Sequence, residues 1–185
     1  MIVALWIAVL VLAAITTLLT LVVSGLVQTL DELRVVDTAL RSFGPKGLPV
    51  GSIAPPVSGT MPDGTEFDPA ALVGRTHLVA FVSPDCAPCE PLLRDLSDRS
   101  RTKGLPPTIV VTRRSSKDQP ALAGLMDRED VIVLSEREDE LSDRYRTHTT
   151  PHVFVVDEAG AIRAQGVANS VDSVRELIGQ EVGVP

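Results

Sequence analysis

Cysteine is nearly absent from this chain: two occur in 185 residues, too few for a scaffold of several bridges. No second Cys-x-x-Cys and no Cys/His set at zinc-finger spacing accompanies Cys86 and Cys89, so a closed structural metal site has no framework. Aromatic residues make up 3% of the chain, and the formal net charge is −7 with no basic stripe. That combination leaves no electrostatic footprint for nucleic acid and excludes it as a partner. Internal repeats and long low-complexity segments are also missing. Charge itself is missing from the first thirty side chains, so the whole acidic excess lies beyond them.

What fills that uncharged stretch is Leu, Val, Ile, Ala and Trp, from Ile2 to Val27. At about 1.5 Å per residue the run exceeds the roughly 30 Å hydrocarbon core of a bilayer. It is expected to be one transmembrane anchor, at 1–27, and not a cleaved signal peptide, because no basic residue precedes it and the apolar run is too long. Arg34, Arg41 and Lys46 follow the segment, and counted alone they favour a cytoplasmic domain. Apolar residues then recur at Leu30, Leu33, Val36, Leu40 and Phe43, one face of a helix, which Gly44-Pro45 stops. Residues 28–47 therefore read as a juxtamembrane helix and linker, and 48–185, roughly 140 residues, as a single domain.

Within the domain, Thr76 to Val82 is a near-continuous apolar run suited to the centre of a sheet. A short strand is expected at Thr65 to Phe67, one helical turn at Asp68 to Val73, and strands at Thr108 to Thr112 and Val131 to Leu134. Between them fall a helix from Cys86 to about Arg101, with Asp85 as N-cap and a kink at Pro91, and a helix opening at Pro120. That alternation implies parallel pairing. Glu136 to Tyr145 reads as a charged, solvated helix, and His152 to Val156 with Ile162 to Val167 as an antiparallel hairpin turned at Asp157-Glu158-Ala159-Gly160. A closing helix runs from about Ser170 to Ile178. The fold class is α/β: a mixed sheet with helices on both faces.

Chemistry concentrates at Cys86-Ala87-Pro88-Cys89, where an apolar strand delivers both thiols to a helix start. There the first thiol of such a pair attacks a disulfide as thiolate and the second resolves the mixed disulfide. Cys86 is the candidate nucleophile and Cys89 the resolver. Thr150-Pro151, just before a strand, is a place where a cis bond is tolerated, and in that geometry the Thr150 backbone would stand near Cys86 to hold an extended substrate. His148 and His152 flank Pro151 as candidates for lowering the Cys86 pKa, while Asp85 and Glu90 disfavour a thiolate. Each charge is worth about 1 kcal/mol, as is the opposing helix terminus. Both cysteines with both histidines would offer zinc-type ligands but lack a supporting spacing, so no metal is expected, and His77 reads as an ordinary sheet residue.

Cys86-Ala87-Pro88-Cys89 and Thr150-Pro151 before a strand-turn-strand resemble the thioredoxin-like superfamily, in which that proline is cis. Gly51-Ser52-Ile53-Ala54-Pro55 and Asp63-Gly64 resemble the opening of membrane-tethered TlpA/ResA-type reductases, whose domains face the extracytoplasmic side. Ser83-Pro84-Asp85-Cys86, Phe43-Gly44-Pro45 and Ile162 to Ser170 are similar to the MauD family of methylamine dehydrogenase maturation. The resemblance implies a membrane-tethered thiol–disulfide oxidoreductase, reductase or isomerase, outside the cytoplasm, with a disulfide-bearing protein client and a membrane redox donor. It implies no cofactor beyond the Cys86–Cys89 disulfide. The alternative is a tethered, non-catalytic interaction module of the same fold. Departures are Asp85 where the family commonly has Trp, Glu90 where a basic residue often follows, and Ala80 in place of the buried acid of cytoplasmic thioredoxins. A peroxidase reading fails because position 79, seven residues before Cys86, is Val and not the proline such a motif needs.

Overall fold

His77–Val82 forms β1, buried at every position, and a strand with no solvated face belongs in the middle of a sheet. The computed structural model, which describes residues 6–7, 10, 12–13, 15–17, 19–20, 47–83, 86–112, 120–136 and 138–179, places it there. The other strands are β2 (Thr108–Thr112), β3 (Val131–Ser135), β4 (His152–Val156) and β5 (Ile162–Gly166), in the order β3-β2-β1-β4-β5. β1 pairs parallel with β2, and β2 with β3, as the strand-helix alternation implies. β4 runs antiparallel to both β1 and β5, so the hairpin makes the sheet mixed.

Alternation along the strands divides the core into two layers. Leu78, Ala80, Val82, Val153 and Val155 face α1 (Cys89–Ser97), α2 (Pro120–Met126) and α4 (Val171–Gly179). Val79, Phe81, Phe154 and Val156 face α3 (Glu140–Arg144) and the irregular chain before β1. Phe81, Tyr145 and Phe154, half of the six aromatic Phe, Tyr and Trp residues in the sequence, meet there with ring centroids 5.0 to 5.8 Å apart. Tilted and edge-on contacts of this kind suit the ring quadrupoles.

The segment entering the domain is strapped to it by main-chain bonds. Gly47 donates to Arg146, Leu48 to Tyr145, Gly51 to Ile162 and Ala54 to Gly160, and Ile162 donates to Ser52. Gly47 has φ +99°, and a Cβ on it would lie 2.7 Å from Gln165 Oε1 and 3.0 Å from the Phe154 ring. Only glycine meets both conditions.

Four expectations are corrected. The helix expected at Cys86 begins at Cys89 and ends at Ser97, with Pro88 at its N-cap. Asp85, expected to cap it, lies outside the described residues. Pro91 falls in the first turn, where no intrahelical N–H bond exists to lose, so the expected kink has no cause. Thr65 to Phe67 forms an isolated bridge, Thr60 with Glu66, and not a strand. Glu136 to Tyr145 is not one solvated helix: α3 starts at Glu140, and Glu136 is buried, its carboxylate accepting from the Ser142 N–H at 2.7 Å and from the Ser142 hydroxyl.

The chain divides into two compact units, 1–44 and 45–185. In the first, the described residues between Trp6 and Thr20 are helical and exposed. Among the described residues no helix is long and apolar enough to cross a membrane. Most of the anchor expected at 1–27, and the juxtamembrane helix expected to Phe43, lie outside the described residues.

Candidate functional site

Parallel pairing of β1 with β2 and antiparallel pairing with β4 bring the end of β1 beside the start of β4, since Phe81 stands opposite His152. Beyond β1, Cys86 N–H donates to the Ser83 carbonyl at 3.2 Å, and Cys89 N–H to the Cys86 carbonyl at 2.9 Å, so Cys86 stands just before α1. Cys86 and Cys89 are joined in a disulfide with their Cα atoms 5.3 Å apart, inside the usual range for such bonds. No free cysteine remains among the described residues.

The two sulfurs are unequally placed. Cys89 is fully buried, packed with Leu92, Leu93 and Leu96 of its own helix against Ala80, Val82 and Val153. Cys86 is only half-buried, and Ala87, Pro88 and Glu90 around it are exposed. A reagent in solution therefore meets Cys86 first.

Opposite stands Thr150-Pro151, whose peptide bond is cis. Cys86 Sγ lies 3.2 Å from the Thr150 carbonyl oxygen. In the disulfide no S–H exists to donate. In a dithiol form a Cys86 S–H would have that carbonyl within reach as an acceptor.

The charged candidates are dispersed. Glu90 is exposed and pairs with Arg94 one turn on, at 3.0 Å, so its charge is partly answered on the helix surface. His148 pairs with Asp143 at 3.3 Å. His152 is buried in the other layer, its Nε2 2.5 Å from Gln165 Oε1 and its ring 4.9 Å from that of Phe154. Strand alternation sends Val153 toward the cysteine helix and His152 away from it. The zinc quartet considered from composition is not assembled, because its four donors point to three different places. Asp85 lies outside the described residues.

Asp143 and Gln165, the partners of the two histidines, were not singled out in the sequence. The hairpin pattern held a signal for Gln165, which stands opposite Phe154 on the face that His152 shares. Nothing local marks Asp143 as the partner of a histidine five residues on. Ala80 is buried in the layer of Cys89, so the position where cytoplasmic thioredoxins carry an acid contributes only packing.

Residues 49–178 match the family model described as Redoxin. The methylamine utilization protein MauD of Methylobacillus flagellatus is 26% identical over 134 residues, 71% of this chain. The chain spans 63% of the length of that relative. A secreted Mycobacterium tuberculosis disulfide oxidoreductase homologous to E. coli DsbE superposes with a TM-score of 0.53 at 18% identity, over 67% of this chain and 95% of the other. A putative thiol:disulfide interchange protein DsbE from Chlorobium tepidum gives 0.55 at 19% identity, over 71% and 96%. The thioredoxin domain of a thiol-disulfide oxidoreductase from Bacteroides vulgatus gives 0.54 at 22% identity, over 70% and 97%. These likenesses place the domain in the thioredoxin-like fold.

Proposed function

The chain belongs to the Redoxin family, and from that premise we propose that it is a membrane-tethered thiol–disulfide oxidoreductase acting on disulfides of exported proteins. The observation that carries the reading is the unequal exposure of Cys86 and Cys89 at a helix entrance, facing the Thr150 carbonyl. In the dithiol form, Cys86 loses its proton and attacks one sulfur of the client disulfide. The client S–S bond breaks, one client thiolate leaves, and a Cys86–client mixed disulfide forms. Cys89, deprotonated in turn, attacks Cys86 Sγ, the second client thiolate leaves, and the internal disulfide closes. Two electrons pass to the client, and a membrane redox donor restores the dithiol. When the second attack instead comes from another client thiol, the net result is isomerisation.

Tethering rests on the uncharged run from Ile2 to Val27. It is supported by the threonine hydroxyls in its helical part. Thr16 and Thr17 donate to the Ala13 carbonyl at 2.9 and 2.6 Å, and Thr20 to that of Thr16 at 3.0 Å, so each polar group is satisfied within its own helix. An extracytoplasmic domain accords with stable disulfide chemistry in an oxidising compartment. Similarity to MauD points to a disulfide-bearing enzyme of amine utilisation, of the methylamine dehydrogenase kind, as the client.

The test is a trap. Cys89→Ser leaves Cys86 able to form the mixed disulfide but removes the resolving sulfur, so the client should be recovered covalently bound and released by reductant. Absence of any adduct, together with full biological function in a Cys86→Ser/Cys89→Ser double variant, would instead establish a non-catalytic module.

A further inference from the structure

A cavity of about 360 Å³ lies at the end of the sheet away from the cysteines, under the strap before β1. Pro55, Val57, Leu72, Val73 and Val156 give it apolar walls. It opens in the layer opposite Cys89, and His77 and Val156, which face each other across β1 and β4, stand four residues along the strands from Phe81 and His152. It is therefore separate from the disulfide site.

Among the described residues His77 is the one polar side chain in the wall. It is 6% exposed. Its Nδ1 lies 2.8 Å from the Arg75 carbonyl, an acceptor only, which assigns the proton to Nδ1 and leaves the lone pair of the neutral ring on Nε2. His77 thus lines an aliphatic cleft with Nε2 as its remaining acceptor. A cavity of about 150 Å³ with similar walls already holds benzene, so 360 Å³ has room for a substituted ring. An anion would meet a lone pair there, and a wholly apolar ligand would leave the acceptor unpaired. A hydroxyl donor on an apolar body suits both features.

We propose that this cavity is a binding site for a small apolar molecule bearing one hydroxyl donor, of phenol type, whose O–H donates to His77 Nε2. Phenol, toluene and benzoate are titrated into the full chain at pH 8, with Val and Leu methyls and His77 followed by NMR. Phenol should shift the methyls of Val57, Leu72, Val73 and Val156 saturably, move the His77 Nε2 resonance, and bind at least tenfold more tightly than toluene or benzoate. His77→Phe should bring phenol to parity with toluene. The proposal is overturned if phenol produces no saturable shift, if toluene matches phenol in the wild type, or if benzoate binds more tightly than phenol. Should His77→Phe not fold, the wild-type ratio of phenol to toluene decides alone.

Discussion

At the scale of single residues, the buried polar groups make the sharpest claims. The Tyr145 hydroxyl donates to the Pro55 carbonyl at 2.9 Å, and burial pushes its phenol well above the usual value of 10.0. A pKa raised on folding gives stability that is complete below the unfolded pKa and is lost as pH rises beyond it. The wild type should therefore lose stability above about pH 10 in urea titrations, and Tyr145→Phe should lack that alkaline loss while costing about 1 kcal/mol at pH 7. Arg128 is a second case. Its guanidinium donates to the Leu96 carbonyl, Thr102 Oγ1 and the Asp130 carboxylate, tying the end of α1 to the loop before β3. Arg128→Met strands two buried acceptors, and a loss of about 2 kcal/mol or more is expected in the denaturation midpoint.

At the scale of elements, the strap before β1 carries its own test. Gly47→Ala forces a side chain into a left-handed backbone against Gln165 and Phe154. It should cost about 2 kcal/mol by thermal unfolding, with thiol exchange otherwise unchanged below the transition. The strands were legible because runs such as Thr108–Thr112 and His152–Val156 are short, rich in β-branched residues and bounded by Pro and Gly, although their continuous burial leaves no alternation to read. Cys86, Cys89 and the Thr150-Pro151 loop were legible because residue type and spacing carry their chemistry. The start of α1 was not, since Pro88 and the bond from Cys89 to the Cys86 carbonyl hold the first cysteine outside the helix. Glu136 was misread because an acid in a charged run looks solvated until Ser142 is folded against it. The orientation of His152 was open to strand alternation, but proximity in sequence to Pro151 pointed the other way.

At the scale of the whole molecule, the proposed tether and the proposed extracytoplasmic side carry a test of their own. After mild reduction, a membrane-impermeant thiol reagent should label Cys86 in intact cells, because this sulfur is the accessible one of the pair. Labelling only after lysis, with accessibility controls passed, would place the domain in the cytoplasm despite its chemistry. The sheet also keeps two compartments apart, with Cys89 in one layer and the His77 cavity in the other. The strap sets where the chain can be cut. A soluble fragment that begins at Ala54 would drop the bonds from Gly47, Leu48, Gly51 and Ser52. It would also strip the backbone lid from Phe154 and Gln165, leaving a freshly uncovered apolar face on an otherwise intact fold. Truncations made for crystallisation or assay therefore need their first residue upstream of Gly47, and a protease that clips within 47–54 should yield a product that aggregates.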